Sequence, residues 1–383
     1  QNVPFATEEG VFLTCLGGLF SNPRQLCVAP DGSVPALGAT NFPYSALLFE
    51  NQGRNEAYSV FADVTWIATE ALELTAGIRF LDEYRKSSFT NDIPNSLLTR
   101  APLIPGGIDT GGRVLEGEEF FQAVLPRFNA LYRITDDINV YATVSKGRRS
   151  PVVQINAGRE GAQVVANRVD VDEEIVWNYE GGVKLATGGV SAALGVYYQV
   201  YDNFQVSLPD PARPGFFIAA SAGSAKNLGV EGELAIDLTD WLNVFGNFNY
   251  IDAQIDNDPG NGNLAGSRFR LQPEWQASGG FTVDYDFGGA RFFATPTITH
   301  RSTIFFQVPS TDLLSQGPVT QVNARAGVSF NDDRFEIAGF IRNAFNEEFL
   351  LDAGNTGGAF GVPTFIPGEP RFFGVELTAR FGD

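Results

Sequence analysis

The chain has 383 residues, a formal net charge of −19 and only 19% charged residues, with 33 Phe, 42 Gly and no Met. The acidic balance argues against nucleic acid as a partner, because phosphates need a basic surface. No stretch approaches the roughly 20 apolar residues of a membrane helix, and an aromatic-rich, Gly-rich chain without such runs is typical of a transmembrane β-barrel.

Residues 1–55 are predicted to form an extracellular loop region. Cys15 and Cys27 flank a turn-rich segment that contains Gly17, Gly18 and Pro23. An even pair of cysteines in such an exported-looking segment predicts a disulfide, with two unpaired thiols as the alternative. A zinc site would need further Cys or His ligands nearby, so neither a metal nor a cofactor is predicted.

From residue 56 onward, apolar and polar residues alternate with the period of a β-strand. In 56–67 the even positions include Val60 and Val64, whereas Asp63 lies on the other face, and 72–80 continues the pattern after a short break. The same alternation recurs to the C-terminus, in 124–134, 138–144, 175–185, 190–206, 230–238, 242–250, 281–287, 290–307, 322–328, 335–341 and 370–381.

These segments predict an all-β fold of about thirteen strands, most of them about 10 to 18 residues long. Strands of soluble proteins run to about 5 or 6 residues, whereas tilted strands of about 9 to 11 residues or more are needed to cross a bilayer. We therefore predict a transmembrane antiparallel β-barrel over residues 56–383. A soluble β-sandwich is the alternative, and strand length and turn asymmetry disfavour it.

Short and long connections alternate strictly along the predicted strands. The short ones are 68–71, 135–137, 187–189, 239–240, 287–289 and 332–333, and the long ones are 87–116, 148–172, 207–224, 255–268, 308–317 and 347–369. Outer-membrane barrels have short periplasmic turns and long extracellular loops, so the C-terminus is expected in the periplasm. An odd number of strands that starts outside the cell cannot close a barrel, so missing strands are expected upstream.

Several motifs give the chain a family resemblance. Asn227–Glu233 resembles the "N-x-G-x-E-x-E" strand start of TonB-dependent receptors, and Ile341–Phe349 resembles their "N-L-x-(D/N)-E-x-Y" segment, with Ala344, Phe345 and Phe349 as departures. The hairpin motif "Y-x-(L/I)-T-D…Y-x-x-x-S-K-G-(F/Y)" is similar to residues 132–148, with Arg148 where an aromatic is usual.

The C-terminal end carries the resemblance further. Pro370–Val375 resembles "P-R-x-(Y/F)-G-(V/L)", and the last strand closes on the aromatic Phe381, which is read as the terminal-strand assembly signal. Gly382 and Asp383 extend beyond it, a small departure from the family pattern.

The resemblance implies the C-terminal part of a 22-stranded outer-membrane barrel, with its plug domain absent from this chain. It also implies import of a scarce solute such as a siderophore–iron complex, with energy from TonB through a TonB box. The implied partners are outer-membrane lipid, an upstream polypeptide or segment with the plug and remaining strands, TonB through that segment, and the barrel assembly machinery. The substrate cannot be read from the sequence, because binding loops are the least transferable part of a family.

Charged residues on the non-apolar face are candidates for the barrel interior, where the family packs its plug. The selected candidates are Arg127, Arg133, Glu231, Glu233, Arg325, Arg342 and Arg380. A solvated barrel wall with internal ion pairs is the plainer interpretation of the same residues.

Two functional alternatives stay open at this point. The first is a passive outer-membrane pore, or a structural or adhesion barrel without TonB coupling. The second is an outer-membrane enzyme built around His300, the only histidine. No nucleophile context accompanies His300, so no catalytic residue is predicted.

Overall fold

The computed structural model describes residues 2–5, 45–93, 107–209, 217–354 and 364–381. Cys15 and Cys27 lie outside these residues, so their disulfide stays a prediction.

The main body is one antiparallel sheet of fourteen strands in which every neighbour in space is a neighbour in sequence. Its strands are β1 (Asn2–Phe5), β2 (Ser45–Ile67), β3 (Leu72–Asp92), β4 (Leu115–Arg133), β5 (Ile138–Arg149), β6 (Glu174–Thr187), β7 (Val190–Asp202), β8 (Ala225–Thr239), β9 (Leu242–Ile255), β10 (Trp275–Asp286), β11 (Ala290–Arg301), β12 (Val319–Phe330), β13 (Phe335–Arg342) and β14 (Phe372–Ala379). Within the described residues, β14 pairs only with β13, so the sheet has two edges.

The thirteen predicted strands correspond to β2–β14, and β1 adds a short pairing with the first residues of β2. β2 and β3 are longer than predicted, at 23 and 21 residues. The even-numbered residues of β3, which lie on one face of the strand, are apolar up to Phe80 and polar from Asp82 onward. The strand therefore continues above the apolar band, where both of its faces tolerate polar residues.

One face of the sheet is apolar and open to the surroundings. Val60, Val64, Ile337 and Val375 lie on it with 51 to 74% of their surface exposed. The strand registers place the other large exposed apolar side chains of the ladder mainly on this same face. An apolar surface that spans a whole sheet needs a nonpolar surrounding, so the predicted lipid-facing side is confirmed.

The two ends of the sheet differ as predicted. At one end, here called the turn end, short turns join the strands, and Thr69 and Thr135 each accept hydrogen bonds from backbone N–H groups two and three residues further along. The other end, here called the loop end, carries the long connections. Successive strands therefore run alternately towards the turn end and towards the loop end, and which end faces the periplasm stays a prediction.

Several loops carry hairpins of their own. The hairpins are Val152–Glu160 with Gln163–Val171, Gln205–Pro209 with Phe217–Ser221, Ile304–Phe305 with Ser315–Gln316, and Leu350–Ala353 with Phe365–Pro367. Two short 3-10 helices, Pro259–Leu264 and Asp312–Leu314, complete the loops. No helix in the described ranges has the length and apolar character needed to cross a membrane.

The first of these hairpins, residues 152–171, is called the docked hairpin. It lies against the part of β3 and β4 that rises above the apolar band, called the upper wall (residues 82–92 and 115–122). Val153 and Ile155 are buried there in a cluster with Phe89 and Leu115. Phe89 and Leu115 are odd-numbered, and the odd-numbered residues of β3 and β4 lie on the polar face of the sheet. The docked hairpin therefore covers the polar face at the loop end.

Candidate functional site

The polar face of the sheet collects the charged residues that the sequence singled out. Arg127, Arg133, Glu231, Glu233, Arg325 and Arg342 share the face opposite Val60, Ile337 and Val375, as the unbroken registers require. Arg380 follows β14 at the turn end, where its Nη1 donates to the carbonyl oxygen of Asp333 at 2.6 Å.

Two ion pairs tie β2, β3 and β4 together on this face. Arg127 lies 2.9 Å from Asp63 across the intervening strand, and Arg133 lies 2.7 Å from Glu73. Between Asp63 and Arg127 stands Gly77, where an added Cβ would lie 2.0 Å from the Asp63 carboxylate. Only glycine leaves room for this pair to cross β3.

A second ion network joins β12, β13 and β14. Arg325 contacts Glu336 at 2.5 Å and Glu376 at 2.9 Å, and its guanidinium lies 4.9 Å from the centre of the Phe293 ring. Such half-exposed pairs contribute about 1 kcal/mol or less each, so their main effect is to fix side-chain positions on the wall.

The acidic residues of β8 are arranged differently. Glu231 and Glu233 line a depression of about 360 Å³ together with Tyr141, Glu180 and Lys184. The Tyr141 hydroxyl donates to Glu180 at 2.8 Å, and the Lys184 ammonium lies 5.4 Å from the centre of the Tyr141 ring. In the described part of the chain, neither β8 carboxylate has an ion-pair partner. The two carboxylates in this depression can therefore still accept hydrogen bonds or ion pairs from a bound group.

A buried charge cluster joins the upper wall to β5, and the sequence did not reveal it. The side chains of Glu83 and Arg148 are 3% and 1% exposed and lie 3.3 Å apart. Arg85 Nε and the Ser150 hydroxyl each donate to Glu83 at 2.6 Å. A second carboxylate, that of Glu173, lies 3.0 Å from Arg148 Nε.

The cluster lies where β4 and β5 separate at the loop end of the sheet. Arg148 has the parity of the apolar face, but it packs against Glu83, which has the parity of the polar face. β4 pairs with β5 only from Arg127 to Arg133, whereas β5 stays paired with β6 up to Arg149, so above this point the β3–β4 ladder and the β5–β6 ladder separate into two layers. Arg148, the departure from the family motif, fills the space between the two layers.

The charge state of Glu83 follows from this environment, which lies above the apolar band. Burial by itself raises the pKa of a carboxyl group. Hydrogen bonds from Ser150 and Arg85, with the positive charges of Arg85 and Arg148, outweigh burial and hold the pKa of Glu83 below its ordinary value. Glu83 is therefore an anion at neutral pH and balances the buried arginine.

His300 lies away from both charge networks. It has the parity of the apolar face on β11, beside Ile298, and its Nδ1 is 2.8 Å from the Thr320 hydroxyl oxygen. No group of three or more His, Cys, Asp or Glu side chains among the described residues could hold a metal ion. The position of His300 gives no support to the alternative of an enzyme.

Comparison with known proteins identifies relatives of this arrangement. A family model for "TonB dependent receptor-like, beta-barrel" matches residues 15–381. The metal-pseudopaline receptor CntO of Pseudomonas aeruginosa PAO1 is 26% identical over 283 residues, which are 70% of this chain and 35% of that receptor. The chain thus spans about a third of the length of the relatives that it matches.

Solved structures share the fold. The ferric yersiniabactin uptake receptor FyuA from Yersinia pestis superposes with a TM-score of 0.72 at 19% identity, covering 89% of this chain and 48% of that one. The siderophore receptor PiuA from Acinetobacter baumannii superposes with a TM-score of 0.62 at 14% identity, covering 91% and 49%.

Proposed function

Because this chain belongs to the TonB-dependent receptor β-barrel family of the outer membrane, we propose that it is the barrel portion of a receptor that imports a scarce solute with energy from the TonB complex. The observation that carries this proposal is the two-faced sheet, apolar towards lipid and polar on the side where the docked hairpin folds over the loop end. A wall of this kind separates a membrane from a polar interior.

The solute that we propose is a metal ion held by an organic chelator, such as a siderophore–iron complex. The support comes from the relatives: CntO is a metal-pseudopaline receptor, FyuA takes up ferric yersiniabactin, and PiuA is a siderophore receptor. The chain itself offers inward polar groups and loop hairpins, which suit a polar ligand without selecting one chelator.

The partners follow from the same proposal. The open edges of β1, with the unpaired part of β2 beyond Leu48, and of β14 take the remaining strands, supplied by a further segment of the protein or by a companion polypeptide. A plug domain packs against the polar face, with Glu231, Glu233 and the depression around them as the contact that we assign to it. A TonB box on that plug-bearing segment contacts TonB, and the barrel assembly machinery inserts the whole barrel.

Uptake measurements test this function directly. Cells that express the complete receptor as their sole route for radiolabelled iron bound to a chelator are expected to accumulate the label. The accumulation is expected to disappear when TonB is deleted or when an uncoupler collapses the proton-motive force. Uptake that continues at an equal rate without TonB contradicts the proposal and favours a passive pore, and surface binding without uptake favours an adhesion barrel.

The terminal aromatic Phe381 gives a separate prediction. We propose that it marks the last strand for the assembly machinery, and it is 87% exposed beside the apolar face of β14. Phe381→Ala is expected to lower the amount of folded barrel in the outer membrane several-fold, with rescue by Phe381→Tyr. The measurement is the heat-modifiable band of the receptor in membrane fractions.

The matched control for Phe381 is Phe373→Ala, on the same strand and 71% exposed. If both variants lower the folded amount equally, general loss of lipid-facing surface explains the effect, and the assembly role of Phe381 is wrong.

A further inference from the structure

β4 has an open backbone edge at its loop end. It pairs with β3 from Leu115 to Tyr132, but with β5 only from Arg127 to Arg133. Among the residues that the structure describes, 115–126 therefore have no strand partner on one side. Within the described residues, the hydrogen bond that a side chain makes to this backbone stretch is the one from Arg168 Nη1 to the Glu118 carbonyl oxygen, at 3.4 Å.

An edge of this kind is unusual in a folded protein. Unpaired N–H and C=O groups form a template for another strand, and proteins normally cover or interrupt them. Completion of the barrel does not cover this edge, because both neighbours of β4 in the sheet are already present. The edges that take further strands belong to β1 with the unpaired part of β2 beyond Leu48, and to β14.

The open edge borders a cleft of about 600 Å³ between β4, the docked hairpin and the segment before β6. Among the described residues that line the cleft there are four carboxylates and one guanidinium, that of Arg168; the carboxylates are those of Glu119, Asp170, Asp172 and Glu173. Arg168 is already committed to Glu119 and Asp170. Asp172 is exposed and, among the described residues, has no ion-pair partner. The cleft therefore favours a cationic occupant.

The cleft also offers an apolar contact and access from outside. Phe120 borders it and is 68% exposed, and its ring lies on the outward face of β4, 4.9 Å from the ring of Tyr84. The even-numbered residues of β4 lie on the apolar face of the sheet. Along them the last apolar residue of the band is Val124 and the next residue, Gln122, is polar, so residues 115–122 lie above the apolar band. A ligand can reach them without entering the hydrocarbon.

We propose that the open edge of β4 binds an extended cationic peptide segment of another protein as an added strand. The peptide backbone pairs with residues 115–122, its lysine or arginine side chains face the carboxylates of the cleft, and an apolar side chain rests on Phe120. Strand addition supplies affinity through main-chain hydrogen bonds and selectivity through alternate side chains. This surface lies outside the polar patch assigned to the plug, so it does not depend on the transport proposal.

The test uses the complete receptor in detergent micelles and a fluorescein-labelled peptide of alternating lysine and valine, with binding read by fluorescence polarisation. The peptide is expected to bind. N-methylation of alternate backbone nitrogens is expected to weaken binding at least about tenfold, because it removes the strand hydrogen bonds. Replacing every lysine by glutamate is expected to abolish binding.

Two measurements on the receptor complete the test. Of the backbone amides in 115–122, the alternate ones that point away from β3 are expected to exchange rapidly when free and to slow when the peptide is added, whereas those in 127–133 are slow throughout. Asp172→Lys is expected to weaken binding about fivefold, while Asp240→Lys at the turn end leaves it unchanged.

Three results would overturn the proposal. Equal binding of the N-methylated peptide means that charge alone attracts it, without strand pairing. Slow exchange of those amides of 115–122 that point away from β3, in the free receptor, means that the edge is already covered. Absence of binding by the alternating peptide means that the edge does not accept a strand.

Discussion

Replacing Glu83 with alanine is expected to destabilise the loop end of the sheet by about 3 kcal/mol, because it leaves the buried Arg148 with only the partly exposed carboxylate of Glu173 as a counter-charge. Arg148 is 1% exposed and cannot reach water without separating β5 from the upper wall. The measurement is denaturant unfolding of the complete receptor in micelles, together with protease cleavage within residues 150–173. Glu83→Gln keeps the shape and is expected to fall between wild type and alanine.

The matched control for Glu83 is Glu56→Ala. Glu56 also pairs with an arginine, Arg54, but the two side chains are 39% and 69% exposed. An exposed pair contributes about 1 kcal/mol or less, so this variant is expected to behave nearly as wild type. Equal losses for the two variants would mean that burial of Glu83 has no energetic consequence.

The Glu83 cluster also predicts a pH dependence. A carboxyl group whose pKa is lower in the folded state stabilises that state above the unfolded pKa, about 4.3 for Glu. This contribution is lost as the pH falls below about 4.3 and passes the lowered pKa of folded Glu83. We expect the stability difference between wild type and Glu83→Gln to shrink over that range. A difference that stays constant down to the lowest pH would contradict the assignment of the anion.

Replacing Gly117 with valine is expected to release the docked hairpin. A Cβ at Gly117 would lie 2.5 Å from Ile155 Cδ1, and Val153 closes the other side at 3.8 Å. Ile155 is 3% exposed, so it can retreat only by leaving its cluster. Overpacking of this kind costs about 2 kcal/mol, which corresponds to about a 30-fold rise in the cleavage of 150–173 by protease.

Gly53→Val is the control for Gly117, because nothing lies within 4 Å of the added Cβ on β2. The double variant Gly117→Val with Ile155→Ala is expected to lose less than the sum of its single variants, since alanine makes room for valine. Additive losses would show that Gly117 and Ile155 are not in contact. If the docked hairpin also closes the ligand path, a variant that raises protease cleavage of the hairpin more is expected to lower uptake more.

The wall of the barrel could be predicted because one rule governs it. Lipid on one side and a polar interior on the other force strict alternation, so the sequence alone identified the faces of Val60, Ile337 and Val375. The same parity placed Glu231 and Arg325 on the polar face. The motifs near residues 341–349 and 370–381 then identified the family.

The loop end could not be predicted, because long-range packing decides it. Residues 152–171 alternate like a strand pair, but nothing in their sequence specifies docking on β3 and β4. Arg148 has the parity of a lipid-facing residue, and only the early end of the β4–β5 ladder turns it inward. Glu83 looked like any other polar-face residue, since its buried partners come from positions about 65 residues away.

The order of the strands has a consequence for how the protein reaches its final state. Since each strand of the main sheet pairs with the strands before and after it along the chain, the contacts closest in sequence are those beside the turns, and these can form first. Thr69 and Thr135 stabilise their turns through hydrogen bonds within a few residues. Pairing of the two strands that each turn joins can therefore start at the turn and propagate away from it. The sheet can therefore grow by one hairpin at a time. A chain that stops part-way exposes one unpaired edge strand rather than many unpaired segments.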